Sequence, residues 1–565
     1  MKRFSQIPFK QIDIEKIQND FSLLIDEFKN ANSFEEQDNA FKKINKYSDE
    51  IQTNLTVGEI RYTVDTTSRK NQKNQESIDE NSPLISVLYN KFDKELVKAK
   101  FRDELEKKYG SHLFRMTEVS LESFDEKIVP ELQEQNKLTS EYTKLISSAQ
   151  IEFKGGTYNL TQMGKFTRNV DRKIRSEASI LVAKFFEDNC DAIGEIYDKL
   201  VKLRNTMAKK LGYDNFVELG YKLLARTDYN SENVANYRKQ IYEDLVPLTN
   251  KLFKEQAKRI GEKNPQFYDY NIMFKSGNPK PIGDTKYKLE MAQKMYDELS
   301  PETSFFFNFL CKYELMDLEA KPGKSSGGYM TYLPKYKAPF IFANFNGTSG
   351  DVDVLTHEFG HAFQGYMSKN IQVPALRSPT LEACEIHSMS MEFITHPWMK
   401  NFFGEDDKKY EYYHLADALC FIPYGAAIDE FQHFVYENPE VSHKERMAKF
   451  REIEKKYLPH IKYDEAPVLK DGGYWMRQGH LFGSPFYYID YTLAQVVAFQ
   501  FFVEDVRNHK RTWNKYVKLC KMGGKFSFTE LLEKSKLNNP FVDGTIKKIV
   551  KPLKKELQKI DISNY

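Results

Sequence analysis

Apolar residues recur three and four positions apart along most of this 565-residue chain, the spacing that gives a helix one buried face. Over 14–47 the series Ile17, Phe21, Leu24, Ile25 and Phe28 alternates with charge and predicts helix. Further helix is expected over 53–66, 101–108, 126–145, 166–262 and 286–317. The polar tract 68–83, SRKNQKNQESIDENSP, lacks this period and reads as an exposed loop. Residues 151–161, IEFKGGTYNLT, alternate around a Gly-Gly turn and predict a short hairpin. The tract 261–284 is rich in Gly, Pro, Asn and Asp and reads as irregular. The pattern therefore describes an N-terminal helical lobe, 1–165, followed by a second region, 166–565.

The character changes at 321–351, where MTYL and FIFANF lie between Gly-Gly, Pro and Asn-Gly and predict a small β element. An edge strand over 341–346 would hold an extended peptide through main-chain hydrogen bonds, with Phe340, Ile341, Phe342, Ala343 and Asn344 as the candidate contacts. The plainer alternative is a hairpin that closes the core. DVDVLTHEFGH (351–361) follows, with Val352, Leu355, Phe359, Ala362 and Phe363 at helical spacing. On one helix face, His357 and His361 aim two imidazoles at one point, a turn apart. Two imidazoles, a third donor and one open position make a catalytic zinc site, and Glu358 stands where a general base would reach the metal's water. Ordinary core and surface helices also contain paired histidines, so the motif needs a third donor from elsewhere.

A helix expected over 379–393 offers Glu382, Glu385 and Glu392. Spacing alone does not separate Glu385 from Glu382. Glu382, Glu392 and Asp353 are also candidates to accept the second N–H of a ligating histidine. His387 and His396 read as ordinary core or surface histidines. Cys384, next to Glu385, would make activity thiol-sensitive if it were reactive.

Composition removes several classes. Lys and Arg number 83 against 81 Asp and Glu, a net charge of +2, which argues against a nucleic-acid binder. No apolar run reaches membrane-spanning length, and the N-terminus lacks the apolar core of a signal peptide. Five cysteines without a CxxC pair predict free thiols in a reducing cytoplasm.

Four blocks then carry a resemblance: GGYMTYL…PFIFANFNGTSGDVDVLTHEFGHAFQ (327–364), LEACEIHSMSMEF (381–393), IPYGAAIDEFQHFVYENPE (422–440) and RQGHLFGSPFYYIDY (477–491). Together they resemble the thimet oligopeptidase and oligoendopeptidase F family of zinc metallopeptidases, most of all its bacterial oligoendopeptidase F side. The resemblance implies a mainly α fold, with two helical lobes enclosing a deep channel and a small β element beside the HExxH helix. It implies one zinc ion per chain held by His357, His361 and Glu385, with Glu358 as base. It assigns His480, Tyr488 and Tyr491 to the substrate carbonyl, with Tyr487 an alternative to Tyr488. The implied substrates are short peptides cut at internal bonds. The alternatives are a related carboxypeptidase or dipeptidase, for which Arg477 is the first residue to test, and an inactive peptide-binding protein.

Overall fold

A computed structural model describes residues 1–325 and 327–565; Ser326, inside the expected β segment, lies outside them. The chain is mainly helical and groups into two units, each assembled from three segments. The first comprises Met1–Leu121, Lys280–Gly404 and Gln500–Leu537; the second comprises Glu122–Pro279, Glu405–Phe499 and Asn538–Tyr565. The expected division at 165 follows order along the chain, whereas these units interleave.

In the first unit, helices Ile14–Lys29, Phe34–Val64 and Arg69–Val97 share a core of Phe21, Phe28, Phe41, Ile78, Ile85 and Phe92. The predicted helix over 14–47 is thus divided, because Ser33 accepts the Glu36 N–H at 3.2 Å and starts a new helix that continues through 53–64. The expected loop at 68–83 is a correction: it is helical. Ser68 caps it, Asn74 and Ile78 fill its buried side, and Gly58 leaves room for the Ile78 methyl. Ile78 is the single buried apolar side chain within 68–83, too few to register as a period over sixteen residues.

Five short strands are present among the described residues: β1 (Ile151–Phe153), β2 (Gly156–Tyr158), β3 (Met316–Glu319), β4 (Tyr329–Leu333) and β5 (Ala338–Phe345). β1 and β2 form the expected hairpin in the second unit. The other three form a sheet in the order β3-β5-β4, with β5 parallel to β3 and antiparallel to β4. This corrects the edge-strand expectation. Ile341 and Phe342 pair with β3 on one side and β4 on the other, so the main chain around Phe340, Ile341, Phe342, Ala343 and Asn344 belongs to the central strand. The apolar run Phe340–Ala343, buried at every position, marks a strand covered on both faces. Lys324 closes the β3–β5 end, donating to Asp317 O, Glu319 O and Ala343 O.

β5 leads directly into the HExxH helix, Gly350–Met367. Asp351 pins that turn: its carboxylate accepts Asn346 N–H at 2.8 Å, Gly347 N–H at 2.9 Å and the Lys288 ammonium at 2.7 Å. Both ionic partners are buried.

In the second unit, the long helix Asp407–Glu437 partners buried arginines from other helices: Tyr436 accepts from Arg204 of Cys190–Leu211, and Asp429 pairs with Arg238 of Ser231–Gln240. No helix among the described residues is long and apolar enough to cross a membrane, and all five cysteines are free thiols.

Removing one member of a buried ion pair leaves an uncompensated charge. Asp351→Ala is therefore expected to lower stability by about 3–5 kcal/mol, read as a lower urea midpoint, with the Lys288 ammonium stranded.

Candidate metal centre

The HExxH helix and the glutamate helix, Leu381–Ile394, lie against each other in the first unit. Gly360 sets their approach: a Cβ there would stand 2.7 Å from both His387 O and Ser388 Cα. With no side chain in the way, the glutamate helix brings Glu385 to the two histidines. Glu385 Oε2 lies 3.3 Å from His357 Nε2 and 3.4 Å from His361 Nε2. The two imidazole rings are 4.9 Å apart and nearly perpendicular. Donor atoms of His357, His361 and Glu385 all fall within 4.8 Å of one another. Ligands about 2.0–2.2 Å from a tetrahedral zinc stand about 3.4 Å apart, so this donor set fits that ion.

Neighbouring groups orient the donors. His357 Nδ1 donates to Glu392 Oε1 at 2.6 Å, which leaves Nε2 with its lone pair toward the cluster. Ser388 Oγ donates to Glu385 Oε2 at 3.0 Å. Glu392, rather than Glu382 or Asp353, is the carboxylate on His357; Glu382 is buried and accepts from Thr380 Oγ1. Burial pushes the His357 imidazole down, but the Glu385 and Glu392 carboxylates outweigh it and hold its pKa well above the ordinary range. Burial likewise raises Glu385, and His361 and His357 reverse the sign, leaving it well below a normal carboxylate. Two carboxylates around one imidazole call for added positive charge.

Glu358 is 7% exposed, and its Oε2 has no hydrogen-bond partner among the described residues. Burial raises its pKa. A Cβ at Gly328, just before β4, would lie 3.6 Å from Glu358 Oε1, so the edge strand begins beside this carboxylate. Two other residues are structural. His387 is buried, hydrogen-bonds Ala383 O at 2.8 Å, and is pushed by burial to about 4, so its ring stays neutral. Burial raises the Cys384 thiol well above its usual pKa, which disfavours the reactive thiolate.

In the second unit, His480, Tyr487, Tyr488 and Tyr491 form one aromatic group. The His480 ring stands 5.2 Å from Tyr488, 5.7 Å from Tyr491 and 5.8 Å from Tyr487. Tyr488 and Tyr491 lie three apart on the tyrosine helix, Tyr488–Asp505, and so share a face. Burial raises the Tyr488 pKa and keeps the phenol a hydrogen-bond donor at neutral pH. Motif reading missed Tyr424 and Gln478. Tyr424 OH donates to Gln478 Oε1 at 3.1 Å, and the Gln478 amide reaches His480 Nδ1 at 2.7 Å. An amide N–H donating to Nδ1 leaves the ring proton on Nε2, so His480 presents a donor. Gln478 stands inside the quoted RQGH block, and its spacing of two from His480 was the available signal. Arg477 is exposed, with its guanidinium 5.0 Å over the Tyr474 ring.

Comparison with known proteins agrees along nearly the whole chain. Residues 4–124 match the peptidase M3 N-terminal domain, and residues 165–551 match peptidase family M3. PZ peptidase A, solved with an inhibitor, is 48% identical, with a TM-score of 0.94 over 99% of this chain and 100% of its own. A structure named as an oligoendopeptidase F from Bacillus anthracis is 45% identical, with a TM-score of 0.91 over 100% of both chains. An oligoendopeptidase F homologue of Borreliella burgdorferi is 25% identical over 424 residues, covering 69% of this chain and 68% of that one. The chain belongs to peptidase family M3 and is an enzyme, a metallo-endopeptidase.

Proposed function

We propose that this peptidase is a zinc enzyme that hydrolyses internal bonds of short oligopeptides, with His357, His361 and Glu385 holding the ion. The convergence of their three donor atoms carries this reading. Zinc bound there supplies a Lewis acid that polarises the scissile carbonyl and lowers the pKa of a coordinated water. Glu358 accepts the proton of the attacking water and returns it to the leaving amine. Its support is position, directly after a proposed ligand, together with burial and an Oε2 that no group among the described residues engages. Glu392 fixes the His357 tautomer through the 2.6 Å contact.

His480, Tyr488 and Tyr491 donate hydrogen bonds to the carbonyl oxygen as it gains negative charge, stabilising the transition state more than the ground state. The support is chemical: a Tyr488 phenol kept protonated by burial, and a His480 imidazole whose Nε2 carries the proton. Substrate backbone alignment passes from β5 to β4, which pairs with β5 alone within the sheet and starts beside Glu358. Main-chain pairing ignores side chains, so binding tolerates many sequences. Free thiols fit the cytoplasmic location read from the sequence.

Glu358→Gln is expected to keep about one zinc per chain while lowering kcat roughly 10²–10⁴-fold. Metal analysis beside a fluorogenic peptide assay measures both, and wild-type turnover in that variant would sink the mechanism. Glu392→Gln should weaken zinc affinity roughly 10–100-fold and leave kcat near normal once excess zinc is supplied; competition with a calibrated chelator reads the constant. A peptide blocked at both ends should be cut internally, with the fragments identified by mass. Cleavage only of peptides with a free terminus would move the assignment to an exopeptidase and make Arg477 the suspect residue.

A further inference from the structure

Among the described non-glycine residues of the second unit, Lys154, in the β1–β2 turn, Ala225 and Phe486 have positive φ, and the last two lie at the ends of one buried contact. Phe486 has φ +64° and Ala225 has φ +54°, both in the left-handed region that costs a non-glycine residue about 1–2 kcal/mol. Such strain persists only where surrounding contacts over-determine it, and it concentrates at functional sites. Here the two positions meet through one side chain. Ala225 ends the helix Phe216–Leu223, with its N–H on Lys222 O and the next N–H on Tyr221 O, and it turns Arg226 into the interior. From there Arg226 Nη2 donates to Phe486 O at 2.7 Å and to Asp490 Oδ1 at 2.6 Å, with both ionic side chains fully buried. Gln432 Oε1 accepts the Phe486 N–H at 2.7 Å, so both backbone polar groups of the strained residue are held by side chains. The Phe486 ring packs 5.0 Å from His433 and against Gly220, where a Cβ would come within 2.6 Å of it.

Phe486 immediately precedes Tyr487 and Tyr488, and Asp490 lies in the first turn of the tyrosine helix. Tyr488 and Tyr491 share one helix face, and Asp490 points to the opposite one. We propose that Arg226 is a positioning residue for peptide hydrolysis: by tying Phe486 O to Asp490 it fixes the first turn of this helix and so aims the Tyr488 and Tyr491 hydroxyls. The inference rests on the reading of those tyrosines as donors to the reacting carbonyl.

The test uses zinc-loaded enzyme and an internally quenched peptide. Arg226→Met with Asp490→Leu removes both charges together, so no lone ion stays buried and the fold survives. This pair should lower kcat at least roughly tenfold with KM little changed, the signature of an interaction made in the transition state. Tyr488→Phe alone should also lower kcat, and adding it to the pair should cost little more, because the pair acts through that hydroxyl. Arg226→Lys, which keeps a cation beside Asp490, should show a smaller loss with the same non-additivity, and it serves as the readout if the pair does not fold. Unchanged kcat in the charge-free pair overturns the inference, as does a loss that multiplies in full with that of Tyr488→Phe. Normal kcat in both Tyr488→Phe and Tyr491→Phe overturns the carbonyl-donor reading itself, and the positioning role falls with it.

Discussion

The close approach of two helices at Gly360 is the constraint on which the candidate metal centre depends. A methyl group there would collide with the backbone of residues 387 and 388. Packed cores do not yield to such an intrusion without moving an element. Moving the glutamate helix outward would withdraw Glu385 from both imidazoles and Glu392 from His357 Nδ1 at once, since all these contacts cross the same seam. The third position of the HExxH spacer thus contributes geometry, while the flanking residues contribute chemistry. Tyr516 secures the seam from the far side by donating to His387 O at 2.8 Å.

The seam explains which parts of the site were legible from sequence. His357, Glu358 and His361 are fixed by helical periodicity, a local property, and spacing recovers them. The choice between Glu385 and Glu382 is not local: both lie on one predicted helix, and only the packing of that helix decides which faces the histidines. Family resemblance pointed to Glu385, and the donor distances place that residue, rather than Glu382, beside both rings. The same limit applied to β5. Its apolar run was visible, but whether a strand is central or at an edge depends on β3, which arrives from outside the motif and pairs in parallel. At 68–83 the limit was different: capping by Ser68 and a few buried anchors sustain a helix whose composition is almost wholly polar.

The tyrosine block shows a further kind of information that pattern reading cannot reach. Its proposed donors, His480, Tyr488 and Tyr491, are visible in the sequence, yet their protonation and direction depend on groups without a motif. Gln478 settles the tautomer of His480, and the Arg226–Asp490 pair joins a helix end more than two hundred residues upstream to the first turn of the tyrosine helix. Buried ion pairs contribute little net stability compared with apolar replacements, because desolvation offsets most of the attraction. A pair that also maintains two left-handed residues is therefore poorly explained by stability alone. Its value lies in orientation: a charge-assisted bond between fixed partners tolerates less angular drift than packing does.

In the proposed mechanism, orientation matters more for the phenols than for the metal donors. Three side chains converging on one ion correct each other's small errors, because the ion draws all of them to bonding distance. A phenol aimed at an oxygen that becomes fully charged only in the transition state has no such guide in the resting enzyme. Whatever holds it must be built in beforehand, since reorganisation during reaction would consume the stabilisation it provides. The rigid turn at Phe486 meets that requirement, and the strain in it is the expected cost of fixing a donor before its acceptor has formed.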